Sequence, residues 1–213
     1  IEIQQRDILH ALSDAVYHSE GLCINGHLAA KFLLSRQMRD DGFKVVLTGE
    51  GADEAFMGYG HLRIDHWRTI GADHHIQQLD RTNRSSLGMM LPHGESLDLS
   101  GVAHRLGFTP AWMEAKATFG KRMHSLLADD FADEFRDRDP FGEFVDAALP
   151  EVDQGLSRVE ISTLLWSRSA LASYILRTLG DGTEMAHSIE GRVPFLDHKL
   201  WESLRDVTVD LKI

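Results

Sequence analysis

Apolar positions along this chain recur mostly at helical spacing, and one short run breaks that pattern. Ile8, Leu9, Leu12, Ala15 and Val16 line one face of a helix expected from about Gln5 to His18. Gly21 and Gly26 bracket a short extended stretch, Leu22-Cys23-Ile24. A second helix is expected from about Leu28 to Arg39, with Leu28, Phe32, Leu33 and Ser35 at helical spacing, and Asp40-Asp41-Gly42 ends it. Val45-Val46-Leu47 is then an unbroken apolar run, which predicts a buried strand, and a helix is expected over Ala52 to Tyr59. Helix, strand and helix in that order suit a parallel α/β unit.

The periodicity weakens from Leu62 to Gly107. Asp73-His74-His75 and the stretch from Thr82 to Gly88 have loop composition, and Leu91-Pro92-His93-Gly94 predicts a turn. Thr109-Pro110 predicts a helix start, with Thr as N-cap and Pro at the first helical position, running to about Thr118. Another helix is expected from Lys121 to Phe135, halted before Pro140. Many acids lie between Asp129 and Asp139, as on a solvated face or loop. Ser157 and Glu160 have capping-box spacing and open a helix whose Ile161, Leu164, Leu165, Leu171 and Ile175 face a core, closed by Gly180 and Gly182. The expectation is an α/β chain, mostly helical around a small parallel sheet. With no repeat and no linker, residues 1–213 form one domain.

Composition narrows the function. At 213 residues, 43% hydrophobic and 26% charged, the chain can bury an ordinary core. A net charge of −11 argues against DNA or RNA as partner, because a phosphate backbone needs a basic surface. A single cysteine, Cys23, excludes an internal disulfide framework and fits a reducing cytoplasm; it reads as a small buried apolar residue. No apolar run approaches the ~20 residues that span a bilayer. Twelve histidines offer no zinc pattern: His61 and His66 are five apart, and no cysteine pairs accompany them. The chain opens on Ile1, inside a helical pattern, and stops at Ile213 without a capping signal, as expected of an excised piece of a longer protein.

The candidate chemistry follows the apolar run. Thr48-Gly49-Glu50-Gly51-Ala52-Asp53-Glu54 places a hydroxyl, two glycines and three carboxylates where a strand gives way to a helix. In open α/β sheets ligands sit at such junctions, and free N–H groups at a helix start attract anions. No Lys or Arg lies between Lys44 and Arg63, so a phosphate here would meet carboxylates and no cation from the loop. Mg²⁺, which takes carboxylates together with substrate phosphates, removes the repulsion. The plainer alternative is an ordinary strand-to-helix connection with an acidic first turn, which the helix dipole favours unaided.

Leu47-Thr48-Gly49-Glu50-Gly51-Ala52-Asp53-Glu54-Ala55-Phe56-Met57-Gly58-Tyr59 resembles the hallmark segment of the synthetase domain of glutamine-hydrolysing asparagine synthetases. Met185-Ala186-His187-Ser188-Ile189-Glu190-Gly191-Arg192-Val193-Pro194-Phe195-Leu196-Asp197-His198 is similar to a second motif of that family. The likeness reaches Leu33-Leu34-Ser35-Arg36 and Tyr17-His18-Ser19-Glu20, whereas residues from about His61 to Leu156 match weakly.

The resemblance implies part of an adenine-nucleotide α-hydrolase-like (ATP pyrophosphatase) synthetase domain. It also implies ATP-dependent activation of aspartate as an acyl-adenylate, then amide formation with ammonia from a glutaminase domain. On this likeness Thr48, Gly49 and Gly51 are nucleotide-binding, with Gly51 needed for close backbone approach. Glu50 is the proton acceptor for the attacking amine, and Asp53 holds Mg²⁺; Glu54 stays outside the site. Glu190 and Arg192 form either a structural ion pair or a substrate contact, with Arg192 able to clamp a carboxylate or phosphate. Phe195 and Leu196 read as core, and Asp197-His198 as a cap or surface pair.

Three departures qualify the likeness. Nothing matches the family's Ser-Gly-Gly-x-Asp-Ser pyrophosphate loop, and no downstream catalytic lysine has a counterpart. Where many members read Asp-Arg before Ser-Met-Ala, this chain has Asp181-Gly182-Thr183-Glu184-Met185-Ala186. The isolated piece is therefore expected to lack turnover. The alternatives are a related adenylating ligase that closes β-lactams or peptide amides, and a non-catalytic binding fragment.

Overall fold

The structure is a computed structural model and describes residues 1–21, 23–83, 95–149 and 155–213. The chain packs as two compact units. One comprises Ile1–Ala55 and Ser167–Val207, the other Phe56–Trp166 and Thr208–Ile213. In chain order the elements are α1 (Gln5–Ser19), α2 (His27–Asp40), β1 (Val45–Leu47), α3 (Ala52–Ala55), α4 (Gly60–Ile70), α5 (Asp73–Asn83) and α6 (Ser100–Leu106). They continue with α7 (Ala111–His124), α8 (Asp129–Glu134), α9 (Pro140–Ala148) and α10 (Arg158–Trp166). A π-helical segment (Ser167–Asp181), α11 (Gly182–Met185), β2 (Glu190–Arg192), a 3-10 turn (Pro194–Leu196), α12 (His198–Leu204) and a last 3-10 turn (Val209–Leu211) complete it. Among the described residues the only sheet is the parallel pair β1–β2, so the chain is mostly helical around a small parallel sheet, as its residue pattern predicts.

In the first unit α1 and α2 close on each other because α1 presents small side chains to the interface. Ala11, Ala15 and Ser19 are buried, and Leu28, Ala29, Phe32 and Leu33 of α2 pack with Leu179 to form the core. Leu9 and Val16, expected on the buried face, are exposed at 69% and 38%. Seven residues apart, they share one line of the helix, and the small-residue stripe turns that line outward. Phe32 also meets the His187 ring edge-on, with centroids 4.4 Å apart. Cys23 is only half-buried, with Sγ 2.9 Å from the Asn25 carbonyl, and neither it nor Ile24 belongs to a strand.

The second unit is helical. His61 and Asp65, one turn apart on α4, are buried where α4 packs on α7 and α10. The His61 ring stacks on Tyr59 and tilts against Trp166, 5.0 and 4.6 Å between centroids. Asp65 accepts from the Ala111 amide at 3.0 Å. Ser157 and Glu160 do form a capping box at the start of α10.

Several expectations fail for local reasons. Asp73-His74-His75 begins α5 and is not a loop. Pro110, not Thr109, precedes α7, which runs on to His124. The helix expected over Lys121–Phe135 breaks before α8. Pro140 starts α9, with Asp139 as its N-cap accepting from Gly142, because proline fits the first turn of a helix. The turn expected at Leu91–Gly94 and most of the loop expected over Thr82–Gly88 lie outside the described residues, as does Leu22. No helix of the described residues is long and apolar enough to cross a membrane.

The buried pair on α4 generates a pH prediction. Burial pushes the Asp65 carboxyl up to about 7; the Ser162 hydroxyl and the Ala111 amide favour the ion, but only the amide makes a hydrogen bond of ordinary geometry. Burial, aided by Lys116, holds His61 down to about 3. Asp65 therefore removes stability as pH rises from about 4 to 7, whereas His61 adds stability as pH rises from about 3 to 6.5. The two slopes oppose each other between about pH 4 and 6.5. Asp65→Asn should unmask the rising limb, with unfolding free energy increasing by up to about 1.4 kcal/mol per pH unit there. Urea unfolding across that range, followed by tryptophan fluorescence, checks it; a flat profile in the variant refutes it.

Candidate active site

The ladder between β1 and β2 sets Val45 opposite Glu190, Val46 opposite Gly191 and Leu47 opposite Arg192. It extends at both ends: the Glu190 amide donates to the Lys44 carbonyl at 2.8 Å, and the Thr48 amide donates to the Arg192 carbonyl at 2.9 Å. The two sequence motifs, far apart along the chain, are thus hydrogen-bonded neighbours. The strand itself is not buried as expected. Val45 and Leu47 are 39% and 75% exposed and Val46 half-buried. With two short strands, the sheet covers too little of its apolar run to bury it.

Past Thr48 the backbone turns. Gly49 is exposed, its carbonyl accepting from the Ala52 amide, and α3 follows. The helix expected over Ala52–Tyr59 stops at Ala55, and Met57 adopts a positive φ of 52°. Gly51 is buried with φ of +90°, and a Cβ there would lie 2.6 Å from Leu196 Cγ and 3.4 Å from the Phe195 carbonyl carbon. Its absent side chain lets the acidic turn close onto the 3-10 turn of the second motif, so the close approach at Gly51 is to protein.

The three carboxylates of the turn part company. Glu54 is buried, at 2% exposure. Asp53 is exposed in the first turn of α3. Glu50 is largely buried, and its Oε1 accepts from Lys31 Nζ, a residue of α2. The cation missing from the loop therefore comes from a different element. Burial would raise the Glu50 pKa, but Lys31, by hydrogen bond and charge, and the Thr48 hydroxyl outweigh it and hold the carboxyl below the usual glutamate range. Thr48 does so without a hydrogen bond of ordinary geometry, and Oε2 of Glu50 is buried with no donor on it.

On β2, Arg192 Nε donates to Glu190 Oε1 at 2.8 Å. Both side chains are about 60% exposed, so the pair is worth ~1 kcal/mol at most. Between them Gly191 faces the Glu184 side chain, whose carboxyl carbon would stand 2.6 Å from a Cβ at 191. Glu184 is buried; burial raises its pKa, Lys31 opposes the shift, and Glu50 and Asp181 reinforce it. Asp197 caps α12 through the amides of Lys199 and Leu200. Trp201 Nε1 donates to the Phe195 carbonyl at 3.0 Å.

Lys31 and Glu184 escaped the sequence reading, yet both left a trace. Lys31 lies between Leu28 and Ser35 on the stripe α2 buries, an odd place for a charge. Glu184 occupies the position where the similar motif has Ser. No group of three or more His, Cys, Asp or Glu side chains able to hold a metal occurs among the described residues. A cavity of about 780 Å³ in the other unit is lined by Leu97, His124, Phe135, Arg138 and Phe141 among others, and contains none of the motif residues.

Relatives narrow the assignment. Amidase chyE of Penicillium rubens is 24% identical over 230 residues, covering 100% of this chain and 33% of its own length. Amidase chry2 of Gibberella zeae is 24% identical over 226 residues, with the same coverages of 100% and 33%. The glutamine-hydrolysing asparagine synthetase 1 of Saccharomyces cerevisiae is 33% identical over 102 residues, 47% of this chain and 17% of the yeast protein. The chain thus spans about a third of the length of the two amidases. No solved structure matches it. The sequence model of asparagine synthase matches residues 1–213. The chain belongs to the asparagine synthase family, ATP-dependent ligases of adenine-nucleotide α-hydrolase-like fold that act on small molecules.

Proposed function

We propose that the parent protein activates a carboxylic acid with ATP as an acyl-adenylate and then forms an amide, with aspartate and ammonia as the first candidate substrates. One observation carries the reading: a largely buried, ion-paired Glu50 lies just past the end of β1, on the turn that Gly51 closes against the second motif. In this scheme Thr48, Gly49 and Gly51 frame the nucleotide. Glu50, held ionised, accepts the proton of the attacking amine near the acyl carbon. Arg192 is half-committed to Glu190 and remains a candidate clamp for a substrate carboxylate.

Asp53 fits Mg²⁺ in one respect: it is an exposed carboxylate, and this ion is commonly held by one or two carboxylates with substrate phosphates and water completing the shell. When bound, the ion would offset phosphate charge. The remaining donors would have to come from substrate and from chain outside the described residues. This piece alone should therefore show no turnover.

A second reading keeps the chemistry and changes the substrates. Whole-chain similarity to two proteins named amidases, against partial coverage by asparagine synthetases, favours an acyl group other than aspartate or an amine other than ammonia. The full-length protein, given ATP, Mg²⁺, aspartate and ammonia, should release pyrophosphate and asparagine in equal amounts. Pyrophosphate without asparagine supports the second reading; neither, with any carboxylic acid, leaves a binding module. Glu50→Gln should lower amide formation by about 10²–10³-fold while sparing acid-dependent ATP–pyrophosphate exchange. Asp53→Asn should raise the Mg²⁺ concentration needed for exchange by roughly tenfold, the loss of one ligand from a weak site.

A further inference from the structure

The two oxygens of Glu50 have different surroundings. Oε1 receives the Lys31 ammonium, whereas Oε2 is shielded from solvent and receives no hydrogen bond. Lys31 itself is 16% exposed, matching its partner, so this is no solvated surface pair. Glu184 lies within electrostatic range of both, packed on Gly191 of β2, so one cation serves two carboxyl groups. Desolvating three ionisable groups costs more than a single ion pair returns, so the fold gains little stability by keeping them. Such a cluster is better explained by the chemistry of Glu50 than by packing.

We propose that Lys31 is the positioning residue of Glu50, its grip on Oε1 orienting the carboxylate that accepts the amine proton, with Glu184 a second carboxyl within range of the lysine. This rests on the amide-forming reading above. As the amine nitrogen bonds to the acyl carbon it becomes positively charged, and its proton passes to the Glu50 carboxylate. The bond from the acyl carbon to the AMP oxygen then breaks, and AMP leaves with the electron pair. The titratable groups facing Glu50 are Lys31 and His27 of α2 and Glu184 of α11, and Asp181 acts on Glu184.

The test uses the full-length protein and separates the two half-reactions. Lys31→Met should lower amide formation from the adenylate by about 100-fold, the scale of a lost general base, while acid-dependent pyrophosphate exchange falls by less than about threefold. Lys31→Arg, which keeps the charge, should recover at least about tenfold of that loss. In parallel, ¹³C NMR of the Glu50 carboxyl should show it titrating below the ordinary glutamate range in the wild type and distinctly higher in Lys31→Met, where the Thr48 hydroxyl and the backbone are left to oppose burial. Equal loss of both half-reactions in a variant with unchanged circular dichroism, an arginine variant no better than methionine, or an unmoved Glu50 titration each overturns the assignment. A wild-type protein that exchanges pyrophosphate with no carboxylic acid defeats the ligase reading and the proton-acceptor role with it. The Glu50 titration then decides independently whether Lys31 holds the carboxylate.

Discussion

The short ladder of main-chain hydrogen bonds between Lys44–Thr48 and Glu190–Arg192 is the constraint on which the rest of the site depends. It ties two segments separated by well over a hundred residues into fixed register. A slip of one position would turn every side chain to the other face. Glu184 could then not find the bare surface of Gly191, nor Gly51 the Leu196 side chain. Register, not local propensity, brings the acidic turn and the second motif together.

Around that ladder the charges are distributed over separate elements. Glu50 comes from the loop after β1, Lys31 from α2 and Glu184 from the short α11. Each lies where backbone geometry is set by core packing: Leu28, Phe32 and Leu33 anchor α2 on either side of Lys31, and buried Thr183 precedes Glu184. Sites carried on packed elements hold their geometry better than sites on loops alone. The same packing explains why Glu50 can stay ionised while largely buried, since its counter-charge cannot drift away.

Much of this was legible in the sequence, and the remainder was hidden for identifiable reasons. Helical spacing located α1 and α2 nearly to their ends, and the capping box at Ser157 marked the start of α10. The strand at Val45 was found, but its burial was misjudged, because a three-residue apolar run says nothing about how many strands flank it. The helix α5 was missed because Ile76 and Leu79 are its only large apolar residues among polar neighbours, a stripe too short to stand out, and that pair packs on Ile64 of α4 and Ala111 of α7. Glu50 and Asp53 stood out by motif, whereas Lys31 did not, since a pair nineteen residues apart has no sequence signature. Its place on a buried stripe was the one clue.

The half-exposed β1 has a consequence of its own. Phe43 just before the strand and Leu47 within it are turned to water, and among the described residues β1 pairs along one side alone, so its other edge is a template that extended backbone can copy. Short length and the flanking Lys44 moderate that tendency without abolishing it. The isolated chain is therefore expected to self-associate more readily as its concentration rises, through this edge and without a change of fold.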